Sequence, residues 1–206
     1  MTSLVTWRSD DGRGMEGTRL LIGPTGLRAV GRMVHGGGEA GPPFTASYEL
    51  VAGPDGALRR LTVVSVTADR ERHLTLRPTD DGFWMLDAES SRSRSEFGGA
   101  VDVDLAFSPM FNSLPIRRLG LHRERGNHLL PVVFVALPEL TAEVVEQRYR
   151  TVSPLGEGER PDEATVGFAW DAFTAELVVD DDAVVTSYPG VASRIPDIAP
   201  AVTPSP

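Results

Sequence analysis

Short segments in which apolar and polar residues alternate recur along nearly the whole chain, with turn-forming clusters between them. In "FTASYELV", residues 44–51, every second side chain is apolar or aromatic, which is typical of a strand with one buried face. The turn "GPDG" and the segment "LRRLTVVSV" follow, and they predict a hairpin. "HLTLRP", "TDDG" and "FWMLDA" predict another. Because such turns recur about every 8–12 residues and no amphipathic helix of ordinary length occurs, the sequence predicts a mainly β, antiparallel fold.

The chain has 206 residues, of which 41% are apolar, so it is long and apolar enough to bury one core. We expect a single β-roll domain over residues 1–188. Residues 189–206 are rich in proline and lack periodicity, which predicts a disordered C-terminal tail.

Composition excludes several kinds of chemistry. Cysteine and lysine are both absent, so disulfides, thiolate catalysis and lysine Schiff bases are excluded. The net charge of -9 argues against nucleic acid and against anionic membrane surfaces as partners. No signal peptide or membrane-spanning apolar run is found, which predicts a soluble, cytoplasmic protein. The sequence does not predict an oligomeric state.

The stretch "AVDVDLAFSPMFNSLPIRRL", Ala100–Leu119, interrupts the strand pattern. Ser108 followed by Pro109 is typical of a helix start, because serine can cap free N–H groups and proline suits the first helical position. Pro115 disfavours helical geometry in the residue before it, so we expect the helix to end by Leu114. A helix this short is unstable alone. The sequence therefore predicts a short helix packed inside a curled sheet, beside a binding cavity.

Four charged residues flank this helix. Asp102 and Asp104 alternate with valines and lie about 7 Å apart on one face of the predicted strand. Arg117 and Arg118, if extended, point to opposite faces, so one of them can meet the aspartates. Two interpretations stay open: a polar cluster that orients a ligand headgroup, or an internal acid–arginine network that ties the helix to the sheet.

Several motifs resemble a known family. They lie in Val101–Leu119, Gln147–Tyr149 and Glu176–Gly190, with Trp7, Glu16 and Tyr48 nearer the N-terminus. Together they are similar to the bacterial family of putative glycolipid-binding proteins, formerly a domain of unknown function. The resemblance implies a long antiparallel sheet rolled around one helix, with a shape similar to bacterial lipoprotein-carrier proteins. It also implies binding of a lipid or glycolipid.

The sequence and the resemblance together predict a set of ligand-binding residues. They are Tyr48, Trp84, Asp102, Asp104, Asn112, Arg117, Arg118, Gln147, Tyr149 and Tyr188. The predicted function is binding of a hydrophobic or amphipathic, glycolipid-like molecule in the cavity of the rolled sheet. No catalytic triad, metal-ligand spacing or cofactor motif is found, so no catalytic residue, metal or cofactor is predicted.

Two alternatives remain open. A water-poor cavity can also fold a polyketide-like or lipid-like substrate for cyclisation or isomerisation, with Asp102, Asp104 and Tyr149 as acids. The barrel interior can instead be filled by side chains, which would leave an interaction scaffold without a ligand.

Overall fold

The computed structural model of the protein describes residues 1–38, 41–88, 91–158 and 160–196. These residues form fifteen strands, one α-helix and a short 3-10 helix at Phe97–Gly99. The strands are β1 Thr2–Ser9, β2 Gly14–Gly23, β3 Gly26–His35, β4 Phe44–Ala52, β5 Leu58–Val66, β6 Glu71–Pro78, β7 Trp84–Ala88, β8 Ser91–Ser95, β9 Asp102–Leu105, β10 Asn127–Val135, β11 Ala142–Ser153, β12 Ala164–Trp170, β13 Phe173–Val179, β14 Val185–Tyr188 and β15 Ala192–Arg194. The helix α1, Pro109–Arg118, follows β9.

All fifteen strands belong to one sheet, in the order β8-β7-β6-β5-β4-β3-β2-β1-β15-β14-β13-β12-β11-β10-β9. The mainly β architecture with a single helix is therefore confirmed. Neighbouring strands are antiparallel except β9 and β10, which run parallel. Parallel neighbours need a long crossover, usually a helix, and α1 is that crossover. The helix therefore lies at the one place in the sheet where the topology requires it.

The sheet is curled but not closed, as an open roll. Its two edges, β8 and β9, are consecutive in the chain, and the segment between them binds strands of the N-terminal half. Trp84 Nε1 on β7 donates to the carbonyl of Ala100 at 2.9 Å. Leu58 N on β5 donates to the carbonyl of Val101 at 3.4 Å. These bonds hold the segment just before β9, at one end of the strand order, against β5 and β7 near the other end.

The inner face of the curled sheet carries the core. On β4 the predicted face is confirmed: Phe44, Ala46, Tyr48 and Leu50 are all buried. The buried side chains form two apolar clusters, one mainly from β1–β7 and the other mainly from β11–β14. Both clusters reach α1, so the helix joins the two halves of the core.

The helix is buried along most of its length, because residues 109–116 are all buried. Phe111 packs edge-to-face on Tyr48 of β4, with 5.0 Å between ring centroids. Ile116 is fully buried in the cluster of the C-terminal half. The space beside the middle of α1, where we predicted a hollow, is occupied by these side chains.

The prediction that the helix ends by Leu114 is wrong. It continues through Pro115 to Arg118, so Arg117 and Arg118 occupy its last turn instead of extending as a strand. Helical geometry is disfavoured in the residue before a proline, but the free-energy cost is small. It is outweighed by the burial of Ile116, which the continued helix places in the core. Two arginines in the last turn also suit the negative end of the helix dipole.

The C-terminal segment is more ordered than we predicted up to residue 196. β15, Ala192–Arg194, lies beyond the predicted boundary at residue 188 and pairs with both β14 and β1. The rest of the predicted tail, residues 197–206, lies outside the described residues. Among the helices that the structure describes, none is long and apolar enough to cross a membrane.

The burial of α1 gives a stability prediction. Phe111→Ala should lower the free energy of unfolding by about 3–5 kcal/mol, because it leaves a cavity where two faces of the core meet. Phe173→Ala removes the same ring from a 39% exposed position, so it should cost about 1 kcal/mol or less. Urea unfolding of both variants measures the difference. Equal losses would mean that α1 is not packed between the two halves.

Candidate functional site

A cavity of about 410 Å³ lies at the C-terminal end of α1. Its wall comes from the β2–β3 and β4–β5 turns, from the last turn of α1 and from the segment that follows the helix. The lining includes Leu27, Ala52, Asp55, Leu114, Arg117, Arg118, His122, Arg123 and Asp182. We call this space the arginine cavity. Its volume is within the range typical of small-molecule sites.

Arg118 is held in the cavity wall by a buried carboxylate. Its Nε donates to Oδ1 of Asp102 at 3.1 Å and its Nη2 donates to Oδ2 at 2.5 Å, which is the two-pronged geometry that guanidinium and carboxylate groups favour. Asp102 is 1% exposed, so this ion pair ties α1 to β9 from the inside. Gly56 of the β4–β5 turn packs on Arg118, and a Cβ there would lie 2.8 Å from the arginine Cβ.

Arg117 and Arg123 line the same space from the helix end and the following segment. Arg117 Nη1 donates to the carbonyl of Asp182 at 2.9 Å, and Arg123 Nη2 donates to the carbonyl of Asp181, also at 2.9 Å. Arg123 Nε donates to Nε2 of His122 at 3.0 Å. Burial, and then the charges of Arg123 and Arg117, lower the pKa of His122, so this imidazole is neutral at pH 7.

The wall of the arginine cavity combines hydrogen-bond donors with acceptors. A guanidinium has five N–H donors, and the contacts above use only some of them. Two residues with carboxylates, Asp55 and Asp182, line the same space, and carboxylate oxygens can accept hydrogen bonds. Such a lining can bind a group that both donates and accepts, as sugar hydroxyls do, as well as an anion.

A second polar group, the Glu16 cluster (Glu16, Thr18, Tyr48 and Ser108), lies at the N-terminal end of α1. Glu16 Oε1 accepts from Tyr48 at 2.5 Å, from Ser108 at 2.7 Å and from Thr18 at 3.1 Å. The Ser108 hydroxyl therefore binds β2 instead of capping the helix as we predicted. Gly31 of β3 lies between Thr18 and Tyr48 in register, and a Cβ there would be 2.2 Å from the tyrosine ring. Because position 31 is a glycine, the Tyr48 ring can lie across β3 and its hydroxyl can reach Glu16 on β2.

Burial gives Glu16 an unusual ionisation. Desolvation raises its pKa to about 7, against the opposing effect of the three hydroxyl groups. Among the described residues, no group donates to its second oxygen, Oε2. Glu16 also lines a small cavity of about 20 Å³ together with Trp7, His35 and Phe107. A space of that volume can hold about one water molecule.

The Asp104 cluster (Asp104, Asn112, Gln147 and Tyr149) joins β9, α1 and β11. Gln147 Nε2 donates to Asp104 Oδ2 at 2.7 Å, and Tyr149 donates to Gln147 Oε1 at 2.9 Å. Asn112 Nδ2 on the helix donates to the Tyr149 hydroxyl at 2.9 Å. Burial raises the pKa of Asp104 to about 6, although the bond from Gln147 opposes the shift. Burial, and then the charge of Asp104, raise the pKa of Tyr188.

Comparisons with known proteins identify the family of the chain and support its fold. Residues 4–194 match the model of a protein family described as "Putative glycolipid-binding". The chain belongs to this family. A crystal structure of a DUF1089 family protein from Pseudomonas aeruginosa is similar to the chain, with a TM-score of 0.69 and 25% sequence identity over 92% of this chain and 95% of that one.

A second solved structure, a β-barrel-like protein of DUF1849 from Brucella abortus, gives a TM-score of 0.45 and 10% identity over 90% of this chain and 82% of that one. The search of curated proteins finds no match. The match to the family model confirms the resemblance noted in the sequence, and its motifs can be placed on the fold.

Most of the predicted ligand-binding residues of this glycolipid-binding family member lie around α1, but in three separate places. Arg117 and Arg118 line the arginine cavity, and Asp102 is the buried ion-pair partner of Arg118. Asp104, Asn112, Gln147 and Tyr149 form the Asp104 cluster, with Tyr188 near it. Tyr48 belongs to the Glu16 cluster. Trp84 lies elsewhere, 1% exposed in the core. The alternative of a cavity enzyme stays a prediction.

The predicted ligand-binding set omitted many residues of these sites. Among the polar ones are Glu16, Thr18, Asp55, Ser108, His122, Arg123 and Asp182. A signal was present for two of them, because Glu16 and Thr18 share the alternation phase of the buried Leu20. A polar residue at a strand position whose alternation places it on the buried, apolar face indicates a buried polar group. Nothing in the spacing of His122 and Arg123 indicated a cavity wall.

The Glu16 pKa predicts how stability depends on pH. Between pH 4.5 and 7 the folded protein keeps a proton on Glu16 that the unfolded chain has lost, so the free energy of unfolding should fall by about 3 kcal/mol as the pH rises across that window. The raised pKa of Asp104 should also make the free energy of unfolding fall as the pH rises. Urea unfolding across that window measures the slope. Glu16→Gln should flatten it, whereas Glu49→Gln on the outer face of β4 should not.

The ion pair of Arg118 predicts an asymmetry between two variants. Arg118→Gln leaves the buried Asp102 carboxylate without its cation, which should cost about 3–5 kcal/mol. Asp102→Asn should cost less, because the Arg118 side chain is 17% exposed and can turn to water. Chemical denaturation measures both. A larger loss for Asp102→Asn would contradict the assignment of Asp102 as the buried partner.

Proposed function

We propose that the protein binds an amphipathic, glycolipid-like molecule whose sugar-like headgroup lies in the arginine cavity. The observation that carries this proposal is the cavity itself, where guanidinium donors and carboxylate acceptors face the same space at the end of a buried helix. The family description, which names glycolipid binding, supports the same class of ligand. A purely anionic group would meet Asp55 and Asp182 as repelling charges, whereas hydroxyl groups can donate to them.

The apolar part of the ligand has a surface to contact in the same cavity. Leu27, Ala52 and Leu114 line it, and all three belong to the core cluster that extends along α1. Each methylene that leaves water against such a surface contributes about 0.8 kcal/mol. A few methylenes beside the headgroup are therefore enough to favour an amphiphile over a free sugar.

The first test is direct. Purified protein is titrated below the micelle concentration with octyl glucoside, with free glucose, and with dihexanoyl phosphatidylglycerol, and complexes are detected by native mass spectrometry. We expect a one-to-one adduct with octyl glucoside and none with glucose at equal concentration. If only the phosphatidylglycerol binds, the cavity takes an anionic headgroup and the proposal of a sugar-like headgroup is wrong. Absence of any adduct, including with a cell lipid extract, would overturn the proposal.

A variant pair locates the site. Arg123→Gln removes an exposed cation of the cavity and should weaken octyl glucoside binding about tenfold or more, as expected for the loss of a charged hydrogen bond. Arg150→Gln makes the same change on the outer face of β11 and should leave the affinity unchanged. Ala52→Leu, which fills the cavity from its wall, should also abolish binding. Equal affinities of the Arg123 and Arg150 variants would place the ligand elsewhere.

A further inference from the structure

The outer face of strands β1–β3 exposes an unusual number of apolar side chains. Leu4 is 67% exposed, Val34 54%, Met15 47% and Val30 39%. All four point away from the core, because strand residues alternate between faces and their neighbours in sequence are less exposed or buried. Scattered apolar residues are ordinary on a surface, but these four share three adjacent strands.

Four arginines, Arg8, Arg19, Arg28 and Arg32, lie among them on the same face, and all are exposed. The strand register places apolar residues directly beside arginines. One row across the three strands reads Arg8, Met15, Val34, and another reads Leu4, Arg19, Val30. Directly opposite residues on neighbouring strands are in side-chain contact range. Cations and apolar groups therefore alternate within a single surface, which we call the arginine–apolar face.

The arginine–apolar face carries no acidic side chain of its own. Every outward position of β1, β2 and β3 is apolar, glycine, threonine or arginine, although the chain has 29 acidic residues. Arg28 is bound by Glu49 of β4 at 2.7 Å. For Arg8, Arg19 and Arg32, the part of the chain that the structure describes supplies no hydrogen-bond acceptor or ion pair. Three guanidinium groups of this face are thus available to an external anion.

We propose that the arginine–apolar face docks the protein on an anionic lipid bilayer. Clusters of basic residues are attracted to acidic headgroups, each contributing favourably near the surface. Apolar side chains between them can enter the boundary between headgroups and acyl chains. Arginine suits both environments, because its apolar stem lies along the apolar groups while the guanidinium binds phosphate, often with two hydrogen bonds.

The net charge of -9 led us to expect the opposite, since it argues against anionic membranes. Net charge averages over the whole surface, whereas attraction to a bilayer falls off within a Debye length of about 8–10 Å and so depends on the face presented. The acidic side chains on other parts of the surface oppose docking there, whereas the outward positions of β1, β2 and β3 carry none.

The arginine–apolar face adjoins one wall of the arginine cavity. The row that contains Leu21 and Arg28 is followed by the β2–β3 turn, and Gly23 and Gly26 at the two ends of that turn line the cavity. Docking through this face therefore brings the cavity rim close to the bilayer. The docking proposal goes beyond the proposed function. It does not depend on that function, because it is argued only from the charges and the exposed side chains of this face.

The test is sedimentation with vesicles of phosphatidylcholine, with and without phosphatidylglycerol. We expect binding to the vesicles that contain phosphatidylglycerol, weakening as salt is added, and little binding to phosphatidylcholine alone. The double variant Arg19→Gln/Arg32→Gln should lower the partition coefficient about 30-fold. Arg148→Gln/Arg150→Gln changes the net charge equally on a different face and should leave binding unchanged.

A second pair tests the apolar component. Leu4→Ser/Val30→Ser should weaken vesicle binding, whereas Leu129→Ser/Val144→Ser, which changes exposed residues on β10 and β11, should not. Equal effects of the test and control pairs, or equal binding to both kinds of vesicle, would overturn the proposal. So would self-association in sedimentation equilibrium that Leu4→Ser/Val30→Ser abolishes, because the face would then bind a second copy. Arg123→Gln changes the arginine cavity and not the arginine–apolar face, so it should keep vesicle binding. Failure of the cavity proposal can therefore be distinguished from failure of the docking proposal.

Discussion

A ten-residue helix that is buried on nearly every side imposes the main constraint on this structure. Such a helix is too short to be stable alone, and its polar side chains cost free energy unless they are hydrogen-bonded. Ser108 at its start binds β2, Asn112 binds β11, and the Ser113 hydroxyl accepts from the backbone of Val185 on β14. Because these bonds reach both halves of the sheet, the helix can satisfy its polar groups only when the sheet is curled around it.

The arginine cavity follows from where this helix stops. α1 ends at Arg118, and the strand turns around its end leave a space lined by the arginines of its last turn. Those arginines favour the negative end of the helix dipole, and Arg118 also compensates the buried Asp102. The same residues thus stabilise the fold and face the site. A lipid site at the centre of the roll would have needed the volume that Phe111 and its neighbours fill.

Local patterns in the sequence predicted the hairpins, the start of the helix and the overall β class, because alternation and turn residues act over a few positions. The end of the helix was not predictable, since the burial of Ile116 is decided by the opposite half of the sheet. The same holds for the pairing of β1 with β15 and for the cavity wall at Arg123, which join segments far apart in sequence. Glu16 was readable from its alternation phase, but only the glycine at position 31 explains how Tyr48 reaches it.

The position of β15 has a consequence for how the molecule is assembled in the cell. It bridges β14 and β1 at the centre of the strand order, yet a ribosome adds it after the other fourteen strands. The N-terminal half therefore emerges with β1 as an unpaired edge, and that edge stays uncovered until Ala192–Arg194 has been synthesised. Translation that stops before Ala192 would leave the sheet divided between β14 and β1, with an exposed strand edge on each side that can pair with other chains.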